Sequence, residues 1–349
     1  MTTAELVFFP LDRQLQVAGE RWSDGLRKLA VWLDGLLTFE RAESVLAKVG
    51  HLAMSDTTAW RQAQACGARA QALENAQRAA ATAMPDRQQV VPGEAPSTQR
   101  LAVAMDGGML PIRGEGWKEL KVGGLGRIVL TPTHDPVTGD RLELARMVEN
   151  SYVAHLGGPA LFGQQVWAEA KARGWSQAAD TVVLGDGAPW IWNLAGEHFY
   201  DSVQIVDWYH AKEHLSQAAN LLHGEGTPAA QAWLKHHETI LFEGHAERIA
   251  DSVTHAAKGK RKVAKDLRGH AGYFRDNQRR MQYLERREDD YPIGSGTAES
   301  GCKQFRARFV GSGMRWCRAG AENLLPVRAA VMSRRFDAFW SALYPSPLN

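Results

Sequence analysis

The chain has 349 residues, 44% hydrophobic and 23% charged, the make-up of an ordinary globular protein with material for one large domain or two to three smaller ones. No apolar run approaches the roughly 20 residues of a membrane span. The first residues carry no export signal, and three scattered cysteines never pair as C-x-x-C, so a reducing cytoplasm is expected and a structural zinc site is not. The net charge of +2 hides 19 Lys and Arg against 8 Asp and Glu between Lys258 and Arg335, which is either a solvated helical face or the footprint of a protein that meets nucleic acid.

Residues 1–83 read as an all-helical domain. Trp22 to Leu37 carries Leu26, Leu29, Ala30, Leu33 and Leu36 at helical spacing. Thr38 then caps a short helix that stops at Gly50, and Ser55 opens another that continues through an Ala/Gln-rich stretch to residue 83. Two helices joined by a glycine-containing turn have helix-turn-helix spacing. In that reading Ser55, Thr57, Thr58 and Arg61 face a DNA groove; a plain helical bundle has the same spacing. Residues 84–99 hold three prolines and read as a linker.

A second domain starts near Arg100. Leu101 to Met105 is a short apolar run ending at Asp106. Trp117 to Val122, Arg127 to Pro132 and Arg141 to Tyr152 alternate as strands do, with a hairpin turn expected over residues 135–140. A helix from Pro159 to Arg173 follows. Two β-branched runs, each ending on an aspartate (Asp186 and Asp207), then alternate with helices. This order predicts an α/β fold with an RNase H-like mixed β-sheet core. Residues 100–223 would form its first part and 224–291 a helical insertion read as two helices. Residues 292–349 would be its last part, with Glu299 on a helix from Thr297 to Phe309.

Strand-terminal aspartates in such a sheet lie where chemistry gathers. Asp106, Asp186 and Glu299 are the oxygen donors that two Mg²⁺ or Mn²⁺ ions take in phosphoryl transfer, although any one strand-end aspartate is commonly a turn residue or a cap. Lys303 and Arg306 share a helical face with Glu299, so they either contact a DNA backbone or pair with Glu299 itself. Trp208 and Trp316 are base-stacking platforms or core residues.

The order of these motifs resembles one family. Val103-Ala-Met-Asp106-Gly, Val183-Leu-Gly-Asp186-Gly, Asp207-Trp-Tyr-His210, Ile293-Gly-Ser-Gly-Thr-Ala-Glu299-Ser and Gly311-Ser-Gly-Met-Arg-Trp316 are similar to motifs of DDE-class insertion-sequence transposases of the bacterial ISKra type, whose core is similar to that of Mutator-like elements. Phe9-Pro-Leu-Asp and Thr38-Phe-Glu-Arg-Ala resemble the family's helix-turn-helix region. The resemblance implies a metal-binding catalytic triad of Asp106, Asp186 and Glu299, with Asp207 and His210 as a second motif beside it. It implies DNA contacts from Lys303, Arg306, Arg308, Arg315 and Trp316. It also implies cleavage and joining of element ends and target DNA by a homodimer or larger assembly associated with the nucleoid. A structure-specific nuclease and a non-catalytic, domesticated DNA-binding protein are the rival readings.

Overall fold

A computed structural model describes residues 22–82, 97–134 and 139–345. Phe9-Pro-Leu-Asp and most of the expected linker lie outside them.

Three helices come first: α1 (Asp24–Leu36), α2 (Phe39–Lys48) and α3 (Asp56–Thr82). Ser23 and Thr38 cap the first two, their hydroxyls accepting the N–H groups of Leu26 and Arg41, donors that a helix start otherwise leaves open. The core then runs β1 (Arg100–Ile112), β2 (Gly116–His134), β3 (Arg141–Leu156), α4 (Pro159–Ala172), β4 (Asp180–Gly185), α5 (Pro189–His198), β5 (Val203–Val206) and α6 (Trp208–His223). The sheet order is β3-β2-β1-β4-β5. The first three strands form an antiparallel meander, while β4 runs parallel to both β1 and β5. The chain is therefore mixed α/β, as its pattern of elements predicts.

Two details of the sheet differ from the sequence reading, and glycines explain both. Residues 117–122 and 127–132 belong to one continuous strand, β2, with a register shift between Leu125 and Arg127. Gly123, Gly124 and Gly126 make no turn there. Each gives room to a neighbour instead: a Cβ would lie 3.0 Å from Val166, 2.7 Å from Thr297 and 2.3 Å from Asn150, respectively. Likewise, Asp106 does not end its strand. Gly107 and Gly108 stay extended, paired with Lys121 and Leu120, and β1 continues to Ile112. Residues 135–138 of the expected turn lie outside the described residues, and the flanking His134 and Arg141 are paired.

The insertion contains four helices rather than two: α7 (Pro228–Phe242), α8 (Ala246–Ala257), α9 (Ala264–Asn277) and α10 (Tyr283–Glu288). Gly244, at φ +89°, turns the chain after α7. Leu241, Ile249, Leu267 and Phe274 of these helices share an apolar cluster with Val103, Val183 and Ile205 of the sheet, so the insertion is docked on the core. Helices α11 (Gly296–Phe309), α12 (Arg318–Met332) and α13 (Phe336–Leu343) are the last among the described residues.

The amino-terminal helices pack on the same body. Val31, Ala63 and Cys66 join Leu110, Leu120, Phe305 and Leu324 in one buried cluster. The closest approach is at Gly67, where a Cβ would lie 1.8 Å from the Asn323 carbonyl oxygen; only glycine lets α3 cross α12 so tightly. Gln64 and Gln71 then bond to Gly320 and Asn323 along that crossing. Among the described residues, no helix is long and apolar enough to cross a membrane.

Candidate active site

Parallel register places the acidic residues. Met105 pairs with Gly185 across β1 and β4, and Gly185 pairs with Val206 across β4 and β5. The next residue along each chain is an aspartate. Asp106, Asp186 and Asp207 therefore form a transverse row over three strands spaced about 4.8 Å apart. The Asp207 N–H donates to the Gly185 carbonyl at 2.7 Å, extending the ladder to the end of that row.

Each member of the row has a different environment. Asp106 accepts the Gly107 N–H at 2.6 Å. Burial raises its pKa; the Asp186 and Glu299 charges add to the rise, and the Gly107 and Cys302 hydrogen bonds oppose it. Asp186 accepts the Ala188 N–H at 2.8 Å in a turn that carries Gly187 at φ +103°. The Tyr273 hydroxyl, from α9, donates to the Asp186 carbonyl at 3.0 Å. A Cβ on Gly187 would lie 2.5 Å from the Tyr273 ring, so glycine serves both the positive φ and the close approach.

Asp207 is buried, with both carboxylate oxygens engaged. Oδ1 caps α6 by accepting the His210 N–H at 2.8 Å. Oδ2 accepts the backbone N–H and, at 2.7 Å, the hydroxyl of Ser295. It is thus a brace between the end of β5 and the start of α11. His210 is partly exposed beside it, its ring edge-on to His214 and Tyr273. His214 stacks flat on Tyr273 at 3.7 Å and meets His270 through their Nδ1 atoms at 3.0 Å. Burial, reinforced by the two neighbouring histidines, lowers the His214 pKa to about 4.

Glu299 lies in the first turn of α11 and bonds Lys303 at 2.6 Å, both side chains largely exposed. Of the basic residues expected to meet DNA, Lys303, Arg306 and Arg315 are exposed. The Arg306 side chain passes over Gly108, two residues beyond Asp106. Arg308 and Trp316 are buried and face away from solvent, so the DNA contacts expected of them are not available in this structure. The Arg308 Nε donates to the Asp34 carbonyl, its guanidinium lies over the Phe39 and Trp316 rings, and the Trp316 indole N–H donates to Phe309. Ser55, just before α3, and Thr57 and Arg61 on it are exposed and Thr58 is half-buried, with the Ser55 hydroxyl receiving the Thr58 N–H. Trp208 packs edge-on against Tyr283 and Phe242.

Sequence reasoning missed Tyr273, His214, Ser295 and Tyr209. Tyr273 lies 87 positions from its partner Asp186, and no local pattern joins them. Tyr209 is 68% exposed and leans on Gly294, just before Ser295; the residue between Trp208 and His210 gave no signal of its own.

Among the described residues, no three His, Cys, Asp or Glu side chains converge closely enough to hold a metal ion. No protein-family model and no curated protein matches the chain.

Proposed function

We propose that the chain is a DDE-type transposase: a DNA strand-cleaving and strand-joining enzyme with an RNase H-like catalytic core. The single observation that carries this reading is the row of aspartates across β1, β4 and β5, each one residue past the last parallel pair, with Glu299 brought toward it on α11 and felt electrostatically by Asp106. The strand order β3-β2-β1-β4-β5, with only the first three strands antiparallel, is the order that reading requires.

The three carboxylates do not converge on one point among the described residues, but their chemistry suits a hard divalent cation such as Mg²⁺ or Mn²⁺. Asp106, Asp186 and Glu299 offer only carboxylate oxygens, and Asp106 is half-buried beside the like charges of Asp186 and Glu299. When bound, such ions activate an attacking oxygen and stabilise a leaving one. The chain's own residues supply the rest. Asp207, by holding Ser295, sets where α11 begins and so where Glu299 stands. Tyr273 fixes the Asp186 turn. Lys303, Arg306 and Arg315 would contact phosphates flanking the scissile bond, and the exposed Tyr209 replaces Trp316 as the side chain able to stack on an unpaired base. Joining two DNA ends needs two such sites, hence a homodimer or larger assembly on DNA in the nucleoid.

A non-catalytic DNA-binding protein is the second reading. It is favoured by the Glu299–Lys303 pair, which occupies the carboxylate that would complete the triad. The two are separated by incubating the protein with a labelled duplex carrying the DNA that borders its gene. Cutting at a fixed position in Mg²⁺ or Mn²⁺, abolished by EDTA, supports the transposase; binding with no cutting under either metal supports the second reading.

A further inference from the structure

A cleft of about 1030 Å³ opens between β3, α11 and α12, separate from the aspartate row. Its lining includes Arg173, Arg328, Arg334, Arg335 and Gln304, with Glu149 the one acidic side chain. Glu149 is already paired to Arg127 at 2.7 Å. Beside the cleft, Glu169 accepts from Arg335 and from Ser151. The guanidinium groups therefore outnumber the carboxylates that could neutralise them.

Part of their hydrogen-bonding capacity is also unspent. Arg328 is more than nine-tenths buried; it donates to the Gly35 and Gln304 carbonyls, yet its Nε–H has no partner among the described residues. The Nε–H of Arg173 is unpaired as well, although Nη1 reaches Ser151. Burial, and then the nearby Arg335 charge, lower the Arg173 pKa. Arg334 is exposed, makes no side-chain bond or ion pair among the described residues, and holds an unfavourable φ of +54° that turns the chain at the end of α12. A buried donor without an acceptor is costly, and several arginines converging on one cleft make a poor structural arrangement without an anion.

We infer that this cleft binds the phosphodiester backbone of a DNA strand. Gln304 follows Lys303 on α11, roughly 100° round the helix, so a strand leaving the outer face of α11 at Lys303 passes directly onto the cleft. Phosphate capture follows from the arginines alone. The identification of the phosphates as DNA rests on the proposed transposase reading.

The test is fluorescence anisotropy of the full chain with fluorescein-labelled single- and double-stranded oligonucleotides across a range of salt, without divalent metal. Two variants are used. Arg334→Gly removes a charge and relieves the positive φ, so it cannot weaken binding by unfolding the chain. Arg173→Gln retains a donor for Ser151. Each is expected to weaken binding about tenfold near 0.15 M salt and to reduce the slope of log K against log salt by about 1. Unchanged affinity and slope in both variants would overturn the inference. So would a thermal shift with inorganic pyrophosphate that both variants lose while DNA binding stays intact, because the ligand would then be a small phosphate. Cleavage is not read here, so a wild type that binds through the cleft but never cuts would sink the catalytic proposal and leave this one standing.

Discussion

Asp207 and Ser295 are joined across 88 positions of sequence by two hydrogen bonds to one carboxylate oxygen, while the other oxygen caps α6. Asp207 and Ser295 are both buried. The pair closes the long excursion through α7 to α10 and returns the chain to the sheet four residues before Glu299. Asp207→Ala should therefore destabilise the chain by about 3 kcal/mol, the scale for losing a buried charged acceptor together with a helix cap. Asp207→Asn should recover the cap but not the Ser295 bonds and fall between. Urea denaturation of the three proteins checks this; equal midpoints would remove Asp207 from the role of brace.

A second prediction concerns the crossing of α3 and α12. In an open helix Gly67→Ala would be stabilising, but here the added methyl would overlap the Asn323 carbonyl. The substitution should cost about 1–3 kcal/mol or more, as overpacking does. Gly269→Ala, on α9 with open space around it, is the control and should be neutral or stabilising. Thermal melts of the two variants decide it, and similar melting temperatures would mean that α3 is free to move off α12.

Much of the frame can be read from the sequence, and the failures share a physical cause. Short β-branched runs ending on Asp186 and Asp207 mark β4 and β5 because buried parallel strands require such residues. β1 and β2 were harder, since Gly107, Gly108, Gly123 and Gly124 look like turns when considered alone. Gly108, Gly123 and Gly124 lie under side chains of α4 and α11, and Gly107 faces Glu119 of β2, facts of tertiary packing that no local window contains. Arg308 and Trp316 carry the same lesson. An arginine and a tryptophan in a basic, glycine-flanked tail suggest DNA, yet the Asp34 carbonyl and the Phe39 ring, more than 260 positions away, enclose them.

Asp34 itself gives a pH prediction. It is fully buried, and burial pushes its carboxyl from 3.8 up to about 8, with the Arg308 charge pulling the other way. A carboxyl raised in the folded chain binds its proton more tightly there than when unfolded. Its stabilisation is thus complete below pH about 4 and is lost as pH rises toward 8. Asp34→Asn, which cannot ionise, should come nearest to wild type at about pH 4 and exceed it increasingly toward pH 8. Urea midpoints at both pH values test the sign; a variant weaker than wild type at pH 8 would show that Asp34 is folded as a charged partner of Arg308.

Tyr273→Phe keeps the ring stacked on His214 and removes only the hydrogen bond to the Asp186 carbonyl. Stability should fall by about 1 kcal/mol, and any metal-dependent cleavage should fall further than DNA binding does, because the Asp186 turn is loosened. Parallel denaturation, anisotropy and cleavage measurements separate these effects. Equal losses in binding and cleavage would make Tyr273 a packing residue only.

The central claim is that the aspartate row cuts DNA, and the most direct measurement compares wild type with Asp186→Asn on the gene-bordering duplex in Mn²⁺, reading binding and strand cleavage in the same samples. The account predicts undiminished binding with cleavage reduced at least a thousandfold, on the order of losing an essential catalytic group. Cleavage that survives the substitution, or binding and cleavage lost together, would contradict it.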